Sequence, residues 1–357
     1  MSLTIENTSP EIEHKTIKDF NNIPKYLDID SIIEHSALLS FHVLGSPVIQ
    51  DIYENNKQCR PKIFQIISPH ILHLSFSDMG NYVIKKIIVC DPDKSIMILN
   101  KLKNYIFQLA IDKHGTHIIQ LLIEKIPEEN LTDISKEFVG HYAELAVNQN
   151  GNQALQKLIK RQKKEENDKI FLEIWKYLIT ISVDKYGCYV LQELLNNCNE
   201  MTFNQIFTII CQDIQTLIMD QYGNYILSYF LEKDKRNIKQ YLDIICYSIK
   251  GNIFQLSMDK FSVMIIEKVL KIGNNSQRKI IINDILYSDH DRKGCLAALA
   301  KDEYGNHVVQ LILRYSDDKT RAIVVKKILS DPGVQKKEGY SAFVVDYIEK
   351  ELNIKEN

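Results

Sequence analysis

The stretch DQYGNYILSYF, residues 220–230, sets a glycine, an amide and a phenol directly ahead of an apolar run. Read alone, it is the first turn of a helix, with Asn224 as a favoured N-cap residue. Capping does not explain why Tyr225 follows the amide. Recurrence does.

Close variants of the stretch occur eight times: FHVLGSPVIQDI (41–52), FSDMGNYVIKKI (76–87), IDKHGTHIIQLL (111–122), VNQNGNQALQKL (147–158), VDKYGCYVLQEL (183–194), MDQYGNYILSYF (219–230), MDKFSVMIIEKV (258–269) and KDEYGNHVVQLI (301–312). The residue after the glycine, or after the Ser262 that replaces it, is here called x. It falls at 46, 81, 116, 152, 188, 224, 263 and 306, so successive turns are 35 to 43 residues apart. A period of this length is the mark of a repeat architecture. Each turn leads into paired apolar residues (Val83-Ile84, Ile118-Ile119, Val190-Leu191, Val308-Val309), with more one helical turn on. Segments between turns, such as FNQIFTIICQDIQTLIM, keep helical spacing, and no strand alternation interrupts them. A unit of this size cannot bury its own apolar face, so neighbours must stack. The expected fold is an all-α solenoid of eight helical repeats.

Irregular segments fall between units. KRQKKEENDK (160–169) is expected as a charged, solvated loop, and GNNSQRK (273–279) and SDHDRKG (288–294) as extended connections. Residues 1–14 and 351–357 are expected as tails without fixed structure, around one domain spanning 15–350. GYSAFVVDYIEKELNIKEN (339–357) resembles an amphipathic half-repeat that closes the stack.

Composition narrows the function class. Lys plus Arg is 44 and Asp plus Glu is 46, a net charge of −2. That balance argues mildly against a nucleic-acid binder, though it leaves room for a basic groove offset by an acidic outer face. The seven cysteines are scattered, without zinc spacing, as in a reduced intracellular chain. The polar N-terminus carries no targeting pattern, and no window is apolar enough to span a membrane. A cytoplasmic chain is expected, with a nuclear or nucleolar one as the alternative, and no metal or cofactor is indicated.

Positions x and x+4 share one helix face, with x+1 beside them. The x and x+4 pairs are Ser46/Gln50, Asn81/Lys85, Thr116/Gln120, Asn152/Gln156, Cys188/Gln192, Asn224/Ser228, Val263/Glu267 and Asn306/Gln310. The x+1 residues are Pro47, Tyr82, His117, Gln153, Tyr189, Tyr225, Met264 and His307. Amides at x and x+4 can exchange hydrogen bonds with the edge of a planar heterocycle, while the x+1 ring stacks on its face. Single-stranded RNA offers both surfaces.

These eight triplets, with the leader DFNNIPKYLDIDSIIEHSALLSF (19–41), resemble a Pumilio homology domain of the PUF family over almost all of residues 15–350. The resemblance implies a right-handed, crescent-shaped α-solenoid with terminal half-repeats, in which each repeat meets one RNA base and the last repeat meets the 5′ base. It implies that Asn/Gln pairs read uracil, Cys or Ser with Gln reads adenine, and Ser with Glu reads guanine. On that basis Asn306/Gln310 and Asn152/Gln156 are uracil readers, and Glu267 is a guanine reader. Cys188/Gln192 and Ser46/Gln50 are adenine readers, with Thr116/Gln120 close to that pattern. Val263, Ser228 and Lys85 depart from it, which loosens the seventh, sixth and second repeats. The implied site is UGUAUAUA.

The function this implies is sequence-specific binding of messenger RNA 3′ untranslated regions by a monomer, with repression or decay through deadenylation factors. The alternatives are a nucleolar relative that binds precursor ribosomal RNA through its backbone, and a protein-binding scaffold whose Asn residues are caps. Catalysis is not expected, since no His stands beside Cys188 in its turn and its place in the ladder of triplets accounts for it.

Overall fold

The computed structural model describes residues 28–233, 237–287 and 294–351. Among them every regular element is an α-helix or a short 3-10 turn. The chain divides into two compact units, Met1–Tyr105 and Ile106–Asn357. The expected tail 1–14, the first part of the leader (19–27), the connection 288–293 and residues 352–357 lie outside the described residues.

Each repeat is three helices. In the first unit these are Ser36–Ser40, Gly45–Asn55 and Arg60–Ile67, then Ile71–Phe76, Gly80–Cys90 and Ser95–Leu102. The second unit holds the other six repeats, from Ile106–Ile111, Gly115–Lys125 and Leu131–Phe138 to Cys295–Lys301, Gly305–Tyr315 and Asp318–Leu329. It ends on Tyr340–Glu351. Within each unit the middle helices of consecutive repeats pack side by side, and Tyr340–Glu351 packs on Gly305–Tyr315. Val344, Val345 and Ile348 are fully buried in that last helix, as a closing half-repeat requires.

The middle helix carries the core at x+2, x+3, x+6 and x+7. In the third repeat these are Ile118, Ile119, Leu122 and Ile123; in the fifth, Val190, Leu191, Leu194 and Leu195; all are buried. Two adjacent pairs one turn apart make a stripe wide enough to face both the repeat's own outer helices and the next repeat. Each fully buried side chain of this kind contributes roughly 1.5–3 kcal/mol. The first repeat differs at its edge: Ile49 and Tyr53 are buried, but Val48, at x+2, is 42% exposed.

Polar groups fix how neighbours meet. An x+5 side chain bonds to the x+8 side chain of the preceding repeat in four places. Lys86 pairs with Glu54 at 2.6 Å, Lys157 with Glu124, and Lys268 with Glu232, while the Tyr229 hydroxyl donates to Asn196 Oδ1. Exposed ion pairs are worth about 0–1 kcal/mol, so these set register more than stability. Within a repeat, a carboxylate of the third helix holds the start of the first: Glu137 accepts from the Ile106 amide, Glu173 from Gly140 and Tyr142, and Asp284 from Gly251 and Ile253.

Two expected loops are mostly helix. The charged run 160–169 is crossed by Gly151–Arg161 and Lys164–Ile174, which leaves only Gln162 and Lys163 between them. Glu165 and Glu166 sit in the first turn of the new helix, where acidic groups oppose the helix dipole. Asn167, fully buried, donates to the Ile159 and Asn197 carbonyls and so ties two middle helices to that turn. The run 273–279 likewise enters the helix Asn275–Tyr287, capped by Asn274 Oδ1, which accepts from the Ser276 and Gln277 amides.

The glycine before x is required by proximity. A Cβ on Gly115 would stand 2.6 Å from a Leu109 side-chain carbon and 2.8 Å from the Leu109 carbonyl oxygen; on Gly187 it would stand 2.5 Å from the Ile181 carbonyl oxygen. The middle helix therefore begins pressed against the short helix before it. In the seventh repeat Ser262 Oγ donates to the Leu256 carbonyl at 2.7 Å, so the same close approach becomes a hydrogen bond. An alanine methyl has no such outlet. Ala exceeds Gly in helix propensity by about 1 kcal/mol, yet overpacking costs roughly 1–3 kcal/mol. Gly115→Ala should thus lower stability in urea or thermal unfolding; a gain would show that the short helix moves aside freely.

Candidate nucleic-acid interface

Each turn is organised from four residues before x. Asp112 Oδ1 accepts from the His114 and Gly115 amides at 2.8 and 2.7 Å. Asp184, Asp220, Asp259 and Asp302 do the same for their own turns, and Asn148 does so with its amide oxygen. In the first unit the Ser77 hydroxyl accepts from Gly80, and His42 Nδ1 accepts from Leu44. All eight x−4 side chains thus take an otherwise orphaned amide at the start of the middle helix. This corrects the reading of Asn224 as a cap: Asp220 caps, and Asn224 lies inside the first turn.

The x side chains are all buried. Asn152 Nδ2 donates backward to the Asn148 and Gln149 carbonyls at 2.7 and 3.0 Å; Asn81, Asn224 and Asn306 also donate to carbonyls of their own turns. Asn81, Asn152 and Asn306 make two such bonds and keep only the oxygen for anything further, while Asn224 makes one, to Asp220. Ser46 and Thr116 instead donate to the Met79 and Asn150 carbonyls of the next repeat.

That leftover oxygen orients the residue at x+4. Gln50, Gln120, Gln156 and Gln310 each donate Nε2 to the x oxygen, at 3.1, 3.1, 3.0 and 3.2 Å. Each of these glutamines is half-buried and keeps Oε1 and its second N–H for a ligand. The x residue therefore acts as an anchor, and the x+4 amide is the group within reach. Gln192 is also half-buried, above Cys188. Burial raises the Cys188 thiol to about 11, which keeps it protonated and poorly nucleophilic at neutral pH.

Every x+1 residue is exposed: Pro47, Tyr82, His117, Gln153, Tyr189, Tyr225, Met264 and His307. Tyr189 is 58% and Tyr225 51% accessible, so these rings belong to the surface. Within each unit the triplets lie on consecutive, laterally packed helices. Each therefore offers an exposed surface beside its x+4 side chain.

Three repeats differ. Lys85 Nζ stands 4.7 Å from the centre of the Tyr82 ring, a cation–π contact that holds a donor where other repeats place Gln. Glu267 Oε2 accepts from Lys271 at 2.6 Å, beside a pocket of about 150 Å³ lined by His307, Gln310, Arg314 and Tyr347. Ser228 is buried, and neither its Oγ nor Asn224 Oδ1 has a hydrogen-bond partner.

Sequence reasoning named the triplets and missed two companions. One is the x−4 acceptor. The other is the half-buried ring at x−2 (Tyr186, Tyr222, Phe261, Tyr304), beside which Lys185 and Lys260 lay their ammonium groups, 5.2 and 5.5 Å from the Tyr186 and Phe261 ring centres. Both were legible in the aligned turns, as Asp at x−4 in five of the eight and Tyr or Phe at x−2 in four.

The repeat pattern described as the Pumilio-family RNA binding repeat matches residues 70–103, 105–138, 141–175, 177–211, 213–236, 252–286 and 295–329. Those segments contain the seven turns from 81 to 306; the turn at 46 precedes them. Among solved structures, the chain is 24% identical to the Puf3 RNA binding domain bound to a Cox17 RNA 3′ UTR recognition sequence, with 94% of this chain and 100% of that one covered and a TM-score of 0.72. It is 22% identical to the RNA-binding domain of yeast Puf5p bound to SMX2 RNA, over 93% and 99%, with a TM-score of 0.76. For PUF-8 in complex with PBE-RNA the values are 21%, 95%, 99% and 0.76. No curated protein sequence matches the chain. At these identities the likeness is one of fold, and the fold is an all-α solenoid.

The turn and the ring should separate in stability measurements. Asp184→Ala removes the acceptor for two amides and should cost about 0.5–2 kcal/mol. Tyr189→Ala should stay within about 0.5 kcal/mol of the parent, as surface changes do. Equal melting-temperature losses for the two variants would mean that Tyr189 is a packing residue.

Proposed function

The chain belongs to the Pumilio family of RNA-binding repeat proteins, and from that premise we propose that it binds single-stranded RNA by sequence, one base to a repeat. The observation that carries the reading is the recurrence, in all eight turns, of a buried x side chain next to an exposed x+1 side chain. A succession of such sites within each unit suits a polymer of planar bases, whose faces stack on x+1 while their edges meet x+4. A protein-binding scaffold would need no flat group at this register.

The solved relatives include RNA-bound Puf3, Puf5p and PUF-8 domains. By analogy the ligand is messenger RNA with a UGUAUAUA-like element in a 3′ untranslated region. The protein acts on it as a cytoplasmic monomer that lowers translation or message lifetime by recruiting deadenylation factors. Its role is binding rather than catalysis.

A monomer should bind an RNA containing UGUAUAUA far more tightly than a scrambled RNA or the matching DNA. With a net charge of −2, few phosphates should be neutralised, so the salt dependence, about −0.7 per phosphate for single strands, should be shallow. Tyr189→Ala should weaken binding by roughly 1–3 kcal/mol. Equal affinity for scrambled RNA would refute base reading.

Glu267 gives a sharper test. It is the only acid at an x+4 position, and an ionised carboxylate only accepts. Guanine meets it with N1–H and the exocyclic amine, two adjacent donors. Replacing Glu267 by Gln together with Val263 by Asn should move the second-base preference from guanine to uracil, by about 1–3 kcal/mol. Retained guanine preference in competition binding would remove Glu267 from the interface.

A further inference from the structure

The sixth repeat has the surface of a base-binding site but lacks its reading group. Asn224 at x matches Asn152 and Asn306, and all three donate Nδ2 back into their own turn. In the fourth and eighth repeats a glutamine then lies over the Asn oxygen and carries an amide outward. In the sixth, Ser228 takes that place, with a hydroxyl where glutamine has a methylene and an amide. It is only 5% exposed, and both Ser228 Oγ and Asn224 Oδ1 are buried with no hydrogen-bond partner. Tyr225, in contrast, keeps half its surface exposed.

We infer that the sixth repeat holds its base by stacking on Tyr225 and accepts all four bases. The inference rests on the RNA-binding reading above. A base on Tyr225 meets no reachable donor or acceptor from x or x+4, because both side chains, Asn224 at 1% and Ser228 at 5% exposure, lie beneath the surface. Stacking on an aromatic ring discriminates weakly, since every base has a π-face. The bound sequence therefore has an indifferent third position flanked by positions that are read. The hydroxyl of Ser228 is too short to change this, and its burial, rather than its chemistry, decides the outcome.

The test is equilibrium binding of the full chain to four RNAs, UGNAUAUA with N as each base in turn. The expected result is four affinities within about threefold of one another, against the roughly tenfold or greater spread that a good bidentate contact produces. Tyr225→Ala should weaken all four alike. Ser228→Gln, which supplies the missing amide, should open a preference for uracil of about tenfold. A parent protein that prefers one base by tenfold or more would overturn the inference alone, whether or not Ser228→Gln folds. So would a folded Ser228→Gln that leaves the four affinities level. Failure to bind any of the four would overturn the RNA-binding reading and this inference with it.

Discussion

The contact on which most repeats depend is the approach of a glycine to the backbone of the preceding short helix, replaced in the seventh by the Ser262 hydrogen bond to Leu256. Gly80, Gly115, Gly223 and Gly305 all lie where a Cβ would stand 2.8 Å from a carbonyl oxygen of that helix. The approach fixes where the middle helix begins, and the x−4 acceptor locks that start by taking its free amides. The rest of the helix is counted from there: x goes inward, x+1 outward, and the x+4 glutamines to the boundary. A shift of one residue would rotate the helix by about 100° and carry the ring at x+1 toward the core.

The same helix divides its positions between packing and surface. Positions x+2, x+3, x+6 and x+7 build the core, and x+5 and x+8 register neighbours through pairs such as Lys86 with Glu54. The exposed x+1 side chains bear little of the packing, and the x+4 glutamines lie half-buried beside them. Surface positions of this kind can vary without unfolding the repeat. That freedom is visible in Lys85 and Glu267, which stand in place of Gln at x+4 on closely similar helices, whereas Ser228 at the same position is buried.

The x position is less free. Its side chain is buried and must satisfy its own polar groups, as Asn does through backbone carbonyls and Thr116 does through Asn150. Val263 meets the demand by having none. Where x and x+4 fail to pair, as in Asn224 and Ser228, the buried oxygens stay unsatisfied, a cost of the kind that proteins tolerate at few sites.

The sequence alone determined the period, the helical class, the register of the turns and the outward placement of x+1. All four follow from spacing: eight aligned turns, a 3.6-residue helix and apolar pairs at fixed offsets leave one face for the core and one for solvent. It did not determine that the charged run 160–169 is helix, because that rests on Asn167 reaching carbonyls of two different repeats. Nor did it determine that Asp220, rather than Asn224, caps its turn, since both are good capping residues and only the path of the chain chooses between them. The depth of Ser228 was also beyond it. Spacing gives the direction of a side chain, whereas burial depends on what the neighbouring repeat packs over it, and that is settled only when the repeats stack.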